Sequence, residues 1–142
     1  MPLLPLNAFP LVTYDKLRYG DTDRQGHVNN AHFSTFLETG RVELLYHSEQ
    51  PILTEGASFV IASLKLDFLR EITWPGQVDI GTGLRKIGNS SMALYQQLFQ
   101  HGQCTATAET VIVQVDAATG KGKPLSPQAK ATLAGWLLAT GG

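Results

Sequence analysis

One stretch of this sequence is helical in its apolar spacing, and almost everything after it is not. Phe33, Phe36, Leu37, Gly40 and Leu44 recur at three- and four-residue intervals, which marks one buried face of a long helix. Gly40 on that face implies close approach to another backbone element. Asn29 or Asn30 supplies a short amide side chain to cap the helix start. Ahead of it, Val12 to Arg18 reads as a first strand, with Tyr14 and Leu17 among polar residues. Beyond Pro51 the apolar period drops to two. Ala57 to Leu69 is a strand in which Leu64, Leu66 and Phe68 alternate with Lys65 and Asp67. Trp74-Pro75-Gly76 is a turn, and Gln77 to Ile87 is the next strand. Gly88-Asn89-Ser90 is a hairpin turn in which Gly and Asn tolerate positive φ. Met92 to Gln100 and Cys104 to Val115 complete the set, joined at His101-Gly102. Ser126-Pro127 opens a short helix over about 127–140, with Ser as cap and Pro at the first helical position, ending at Gly141-Gly142. One long helix followed by a run of strands predicts an α+β fold, a helix packed on an antiparallel sheet of about five strands. With 142 residues and neither a repeat nor a low-complexity linker, the chain reads as a single domain, 1–142.

Charge narrows the function classes. Eleven Lys+Arg against twelve Asp+Glu leave a net charge of −1, without the basic excess of a nucleic-acid or anionic-membrane binder. Charged residues are only 16% of the chain, a low fraction that fits one face buried in an oligomer. A single cysteine, Cys104, excludes an intrachain disulfide and a Cys-based zinc site. No apolar run is long enough to span a bilayer. The apolar opening has no basic region and is broken by Pro2 and Pro5, which argues against a signal peptide. A cytoplasmic location is the expectation.

Several motif matches break down. Asp21-Thr22-Asp23-Arg24-Gln25-Gly26 begins like a calcium loop, but the twelfth position is His32, not a bidentate Glu. Gly81-Thr82-Gly83 has Lys86 where a dinucleotide fingerprint needs its third Gly. Gly122-Lys123 runs into Pro124, and Gly56-Ala57-Ser58-Phe59-Val60 lacks the second Gly of a nucleophile elbow. His27 and His32, five apart, do not share a helix face, so no metal site is expected there. No cofactor motif remains.

What is left is the loop from Asp21 to Ala31, between the first strand and the long helix. A helix start offers free N–H groups and the positive end of a dipole, which suits a developing oxyanion. An acidic residue seven positions upstream can fold back over the same spot. Carboxylate plus oxyanion-binding N–H groups is the minimum equipment for hydrolysing an activated acyl bond. A thioester fits well, because a thiolate leaves without a strong acid.

Here a resemblance becomes specific. Arg18-Tyr19-x-Asp21-Thr22-Asp23-x-x-Gly26-His27-Val28-Asn29-Asn30-Ala31-x-Phe33, then Glu38-x-x-Arg41, resembles the hotdog-fold acyl-CoA thioesterases. The likeness is to the 4-hydroxybenzoyl-CoA thioesterase-like group with an aspartate in this loop. It implies an antiparallel sheet wrapped around one central helix, and edge-to-edge association into homodimers or homotetramers with the active site at the subunit interface. It also implies that Asp23 is the catalytic carboxylate, as nucleophile or as general base. The backbone N–H of Asn30, helped by Ala31, would hold the carbonyl oxygen.

The remaining residues carry two readings each. Asp21 is structural, in a turn or paired with Arg18. His27 orders the loop or positions a water; Asn29 braces the loop or orients a water. Tyr19 lines an acyl pocket or packs in the core. Glu38 and Arg41, at i and i+3 on the helix, read as an ion pair, with Glu38 a second carboxylate of interest. Arg85 and Lys86, with Ser90 and Ser91 nearby, contact the phosphates of coenzyme A or form a solvated hairpin end. The function expected is hydrolysis of a fatty-acyl- or aromatic-acyl-CoA, without a cofactor. The alternatives are hydrolysis of acyl-carrier-protein thioesters and a non-catalytic acyl-CoA-binding domain. A hydratase is disfavoured, since no Asp-x-Asn-Pro-x-His run is present.

Overall fold

The computed structural model describes residues 3–47 and 49–139. Its main elements are β1 (Leu11–Lys16), α1 (Ala31–Leu45), β2 (Ala57–Phe68), β3 (Gln77–Ile87), β4 (Ser91–Gln100), β5 (Gln103–Asp116) and α2 (Pro127–Ala134). The five strands form one antiparallel sheet in the order β1-β3-β4-β5-β2. This is the α+β arrangement the sequence predicts. The strand ends agree to within two residues; β1 stops at Lys16 because Arg18 begins a short 3-10 turn, Tyr19–Asp21.

The apolar stripe of α1 explains how the helix sits. Phe33, Phe36, Leu37 and Leu44 are all buried, the first three against Leu17, Val28, Ile72, Ile80 and Leu98. Gly40 lies at the tightest point. A Cβ built there would stand 2.5 Å from Thr82 Oγ1, 2.6 Å from Gln96 Nε2 and 2.8 Å from Ile80 Cγ2. Gln96 fastens the contact, donating from Nε2 to the Leu37 carbonyl at 3.0 Å and to Thr82 Oγ1 at 3.1 Å.

The opposite face of the sheet is covered by the chain ends. Phe9, Tyr95, Phe99 and Leu138 form a small apolar cluster there. Three buried glutamines tie irregular segments to the sheet by using the side-chain amide as a strand would use its backbone. Gln97 accepts from Leu4 N–H at 2.9 Å and donates to Leu4 C=O at 2.8 Å. Gln100 does the same with Thr73, at 3.0 and 2.7 Å. Gln114 accepts from Thr54 N–H and donates to the Lys123 and Pro124 carbonyls.

Two expectations are corrected. The last helix ends at Ala134, well short of 140. Its start is as predicted, with Ser126 Oγ accepting from Ala129 N–H. The chain then leaves the helix because β1 pairs with β3 only as far as Thr82, so the next stretch of the β3 edge is open. Residues 136–138 take it: Leu84 N–H donates to Trp136 C=O and Leu138 N–H donates to Leu84 C=O. The terminal Gly141-Gly142 lies outside the described residues. The second correction concerns the turns. Left-handed backbone occurs at His101 (φ 53°) and Gly102 (φ 75°), not at Gly88-Asn89.

β2 is the outer strand, and its second edge has no partner among the described residues. That edge is long and apolar. Val60, Ile61, Leu64 and Phe68 are each 41–50% exposed.

Candidate active site

The loop between β1 and α1 is built by its own short-range hydrogen bonds. Asp23 N–H donates to His27 C=O at 2.8 Å, and Gly26 N–H donates to Asp23 C=O at 3.2 Å. Gly26 takes φ +77°, the left-handed region that favours glycine. The Asp23 carboxylate closes the same turn, Oδ1 accepting from Gln25 N–H at 2.8 Å and from His27 N–H at 3.2 Å. Asp23 is exposed, and its Oδ2 has no hydrogen-bond partner among the described residues. One oxygen is fixed by the loop while the other faces out.

The loop is stapled to residues 71–74. Val28 N–H donates to Ile72 C=O at 2.7 Å and Trp74 N–H to Gly26 C=O at 3.2 Å. His27 Nε2 lies 3.0 Å from Glu71 Oε2, a hydrogen bond that becomes an ion pair when the imidazole is protonated. The contact favours the loop-ordering reading of His27. The sequence does not single out Glu71; its partner lies far away along the chain, and no local spacing marks it.

Asp21 is the structural aspartate. It is buried, and Oδ2 accepts from Arg18 N–H at 3.1 Å. Its Oδ1 is 3.8 Å from both Arg18 Nε and His32 Nδ1. Asn29 N–H donates to the Asp21 carbonyl at 2.9 Å, which positions the helix start.

At that start, Asn30 sits in the cap position with helical φ and ψ, and its side chain caps nothing. Asn29 does the capping, its Oδ1 accepting from Ala31 N–H at 3.0 Å. Ala31 is therefore already committed and is not a free oxyanion donor, contrary to the expectation that it would help Asn30. His32 N–H and Phe33 N–H donate to the Asn29 and Asn30 carbonyls. The backbone N–H of Asn30 has no hydrogen-bond partner among the described residues. It is left to point out of the helix start with the dipole behind it.

Tyr19 is 74% exposed, so it is not a core residue. Its ring meets Trp74 edge-on at 5.4 Å, and the two aromatic groups flank the loop. Trp74, read in the sequence only as part of a turn, thus belongs to the site's rim.

The expected nucleotide contacts lie elsewhere in the chain. The loop is stapled just before the start of β3, whereas Arg85 and Lys86 are at that strand's far end, about 30 Å away at ~3.3 Å per residue. The fold does not bring them, or Ser90, together with Asp23 within one chain. Arg85 is the extra residue of a bulge in β3, forms an ion pair with Glu109 and lies 5.7 Å above the Tyr95 ring. Lys86 is exposed, and Ser90, half-buried, accepts from Gln114 N–H through its carbonyl. Arg85 also borders a cleft of about 570 Å³ with Lys65, Asp67, Phe68 and Glu109.

Among the described residues there is no cluster of three or more His, Cys, Asp or Glu able to hold a metal ion. No described helix is long and apolar enough to cross a membrane.

Comparison with known proteins identifies the family and the fold. The chain is 26% identical over 105 residues to the acyl-CoA thioester hydrolase YbgC of Escherichia coli O6:H1, covering 71% of this chain and 78% of that protein. A thioesterase from Thermus thermophilus, solved with coenzyme A and Zn, superposes with a TM-score of 0.76 at 26% identity, covering 89% of this chain and 92% of that one. The PA5185 protein of Pseudomonas aeruginosa shares the fold with a TM-score of 0.82 at 22% identity, covering 97% of this chain and 99% of that one. Residues 17–133 match the profile of the thioesterase-like superfamily. The match spans the loop, α1 and the strands β2 to β5, and the chain belongs to the thioesterase-like superfamily, with the hotdog fold.

Proposed function

We propose that this protein hydrolyses acyl-CoA thioesters, with Asp23 as the reacting carboxylate. The observation that carries the reading is the unpartnered Asn30 N–H at the start of α1, on the same loop as an aspartate with one oxygen tied down and one free. The thioester carbonyl oxygen accepts from Asn30 N–H, which draws charge onto that oxygen. Asp23 Oδ2 then either attacks the carbonyl carbon or removes a proton from an attacking water. In the first case the C–S bond breaks, CoA leaves as the thiolate and water hydrolyses the mixed anhydride. In the second, the tetrahedral intermediate collapses directly to acid and thiolate. His27, held by Glu71, fixes the turn that aims Asp23; Asn29 fixes the helix start; Tyr19 and Trp74 border the entry.

The distance along β3 supports a shared site. Arg85, Lys86 and Ser90 would reach the CoA phosphates of a substrate bound at a neighbouring copy's loop, which requires a homodimer or larger homo-oligomer. The open β2 edge supports such self-association, since an exposed apolar edge strand is otherwise an aggregation hazard.

The test is thiol release from a panel of acyl-CoAs, short to long and aromatic, by the wild type and Asp23→Asn. Turnover that falls by about 100-fold or more in the variant, with an unchanged circular-dichroism spectrum, is the expected result. Turnover equal to wild type would refute the role of Asp23. No release from any acyl-CoA would refute the substrate class, and acyl-carrier-protein thioesters or binding without turnover would then be measured.

A further inference from the structure

Arg41 is a buried cation without an acceptor. It is 7% exposed, and its Nη1 is enclosed with no hydrogen-bond partner among the described residues. The ion pair with Glu38 suggested by their spacing does not form; Glu38 is exposed, and no ion pair among the described residues involves Arg41. Glu38 still acts on it through space: burial pushes the guanidinium below its ordinary pKa, and the charge of Glu38 pulls it part of the way back. Both residues border a cleft of about 160 Å³ between α1 and β2. The other walls of that cleft are apolar or aromatic, among them Leu45, Phe59, Ile61 and Ile112. A charged group in such surroundings costs stability until a partner satisfies it. A guanidinium only donates, so the partner has to be an acceptor.

The position of the cleft says where that partner comes from. Arg41 lies on the helix whose start carries the free Asn30 N–H, and at ~1.5 Å of rise per residue the two are about 16 Å apart along the axis. The strip between them is apolar and open. α1 and β2 lie side by side and run in opposite directions, from Phe33 against Phe68 at 5.0 Å near the helix start to Tyr46 against Phe59 at 6.1 Å near its end. Along this strip Phe68, Leu64 and Ile61 are 41–50% exposed. An extended chain advances ~1.2 Å per bond, so about thirteen bonds join a carbonyl held at Asn30 to Arg41. The cleft has room for about five groups of water size at ~30 Å³ each. That is enough for the end of such a chain and too little for a separate cofactor-sized ligand.

We propose that this cleft is the far end of the acyl site, and that Arg41 selects acyl chains of about twelve to fourteen carbons that carry a hydroxyl at the tail. The inference rests on the hydrolase reading above and narrows its substrate class. A hydroxyl is the group that suits both charges. Its oxygen accepts from the guanidinium, and its hydrogen is free to be donated toward the Glu38 carboxylate. A carboxylate tail gains Arg41 but is repelled by Glu38, and a methyl tail leaves the guanidinium unsatisfied. Arg41 is thereby a specificity-determining residue, remote from the bond that breaks.

The experiment is thiol release by the full chain from ω-hydroxyacyl-CoAs, decanoyl to tetradecanoyl, beside their unsubstituted and ω-carboxy counterparts. The wild type and Arg41→Met are compared, with urea unfolding of both. The wild type is expected to favour the hydroxylated chain in kcat/KM by about 10- to 100-fold, the worth of one hydrogen bond to a charged donor. Arg41→Met should lose that preference through KM, with kcat and the unsubstituted substrates little changed. Its urea midpoint should equal or exceed that of the wild type, since an unpaired buried charge is removed; a merely structural arginine would lower it. Equal kcat/KM for hydroxylated and unsubstituted chains in the wild type overturns the proposal, as does a preference that survives in Arg41→Met. A preference for the ω-carboxylate overturns the hydroxyl assignment. If Arg41→Met does not fold, Arg41→Lys takes its place, and a preference unchanged without the planar fork overturns the assignment. If the wild type cleaves no acyl-CoA, the hydrolase reading fails, and calorimetric binding of the free ω-hydroxy and unsubstituted acids decides the tail site. Equal affinities would overturn it, and a preference abolished in the variant would uphold it.

Discussion

Replacing Gly40 by alanine sets two well-characterised effects against each other, and the structure says which wins. Alanine is the best helix former and glycine nearly the worst, a difference of about 1 kcal/mol in favour of the substitution. Against it stands the space. The new methyl would lie 2.5 Å from Thr82 Oγ1, 2.6 Å from Gln96 Nε2 and 2.8 Å from Ile80 Cγ2. None of these can swing away, because Thr82 is 1% exposed and Gln96 and Ile80 are 0% exposed. Overpacking of this kind costs roughly 1–3 kcal/mol. Relief would come from moving Gln96 off the Leu37 carbonyl, losing a buried hydrogen bond worth about 1 kcal/mol. The net expectation is a loss of about 1–3 kcal/mol, read as a lower urea midpoint at an unchanged slope. Equal or greater stability in Gly40→Ala would mean that helix and sheet are not in the contact described. That result would refute the packing argument itself, because propensity alone predicts the opposite sign.

Other perturbations test separate parts of the molecule. Asn29→Ala removes the acceptor for Ala31 N–H and should destabilise the fold by about 1 kcal/mol, measured by thermal unfolding. Glu71→Ala frees His27, and because the pair is solvent-accessible it should leave the unfolding midpoint nearly unchanged while lowering turnover several-fold; an unaltered rate would remove Glu71 from the site. The Tyr95 phenol is pushed up to about 12, first by burial and then by Cys104 and Glu109, with Arg85 opposing. The unfolded phenol ionises near pH ~10, so this contribution to stability is complete below that pH and is lost as pH rises toward the folded value. Unfolding free energies measured across that interval should fall more steeply in wild type than in Tyr95→Phe. Burial also raises the Cys104 thiol above its ordinary value, so alkylation at neutral pH should be slow in the folded chain and fast in denaturant.

Much of this fold is written in local patterns. The stripe from Phe33 to Leu44 buries as its spacing requires, and the alternation of Leu64, Leu66 and Phe68 sets the face of β2 that looks toward α1. The Ser126-Pro127 start of α2 is a local cap and is legible for that reason. Its end is not, because residues 136–138 leave the helix to fill a vacant stretch of the β3 edge, and nothing near Gly135 records where β1 stops. The proposed site divides in the same way. Asp23 and Asn30 are found from a short motif whose hydrogen bonds are almost all within the loop. Glu71 and Trp74 reach the loop from far along the chain, so their part is visible only after folding. Arg41 is the sharpest case: its spacing from Glu38 suggests an ion pair within the helix, but Arg41 is buried, Glu38 is exposed, and no ion pair among the described residues involves Arg41.

The glutamine clamps have a bearing on how the molecule ages. A side-chain amide that both donates and accepts is chemically perishable in a way that a backbone strand is not. Hydrolysis of the Gln100 amide would leave a carboxylate, replacing the donor that faces the Thr73 carbonyl with a second acceptor. Thr73 pairs with His27 across an isolated bridge, so the damage would pass directly to the turn that aims Asp23. Folding protects against this for as long as it holds, since Gln97 and Gln114 are 0% exposed and Gln100 is 5% exposed. One buried amide thus links the rim of the sheet to the proposed site, and a treatment that lets water into that corner would expose the amide and loosen the loop together.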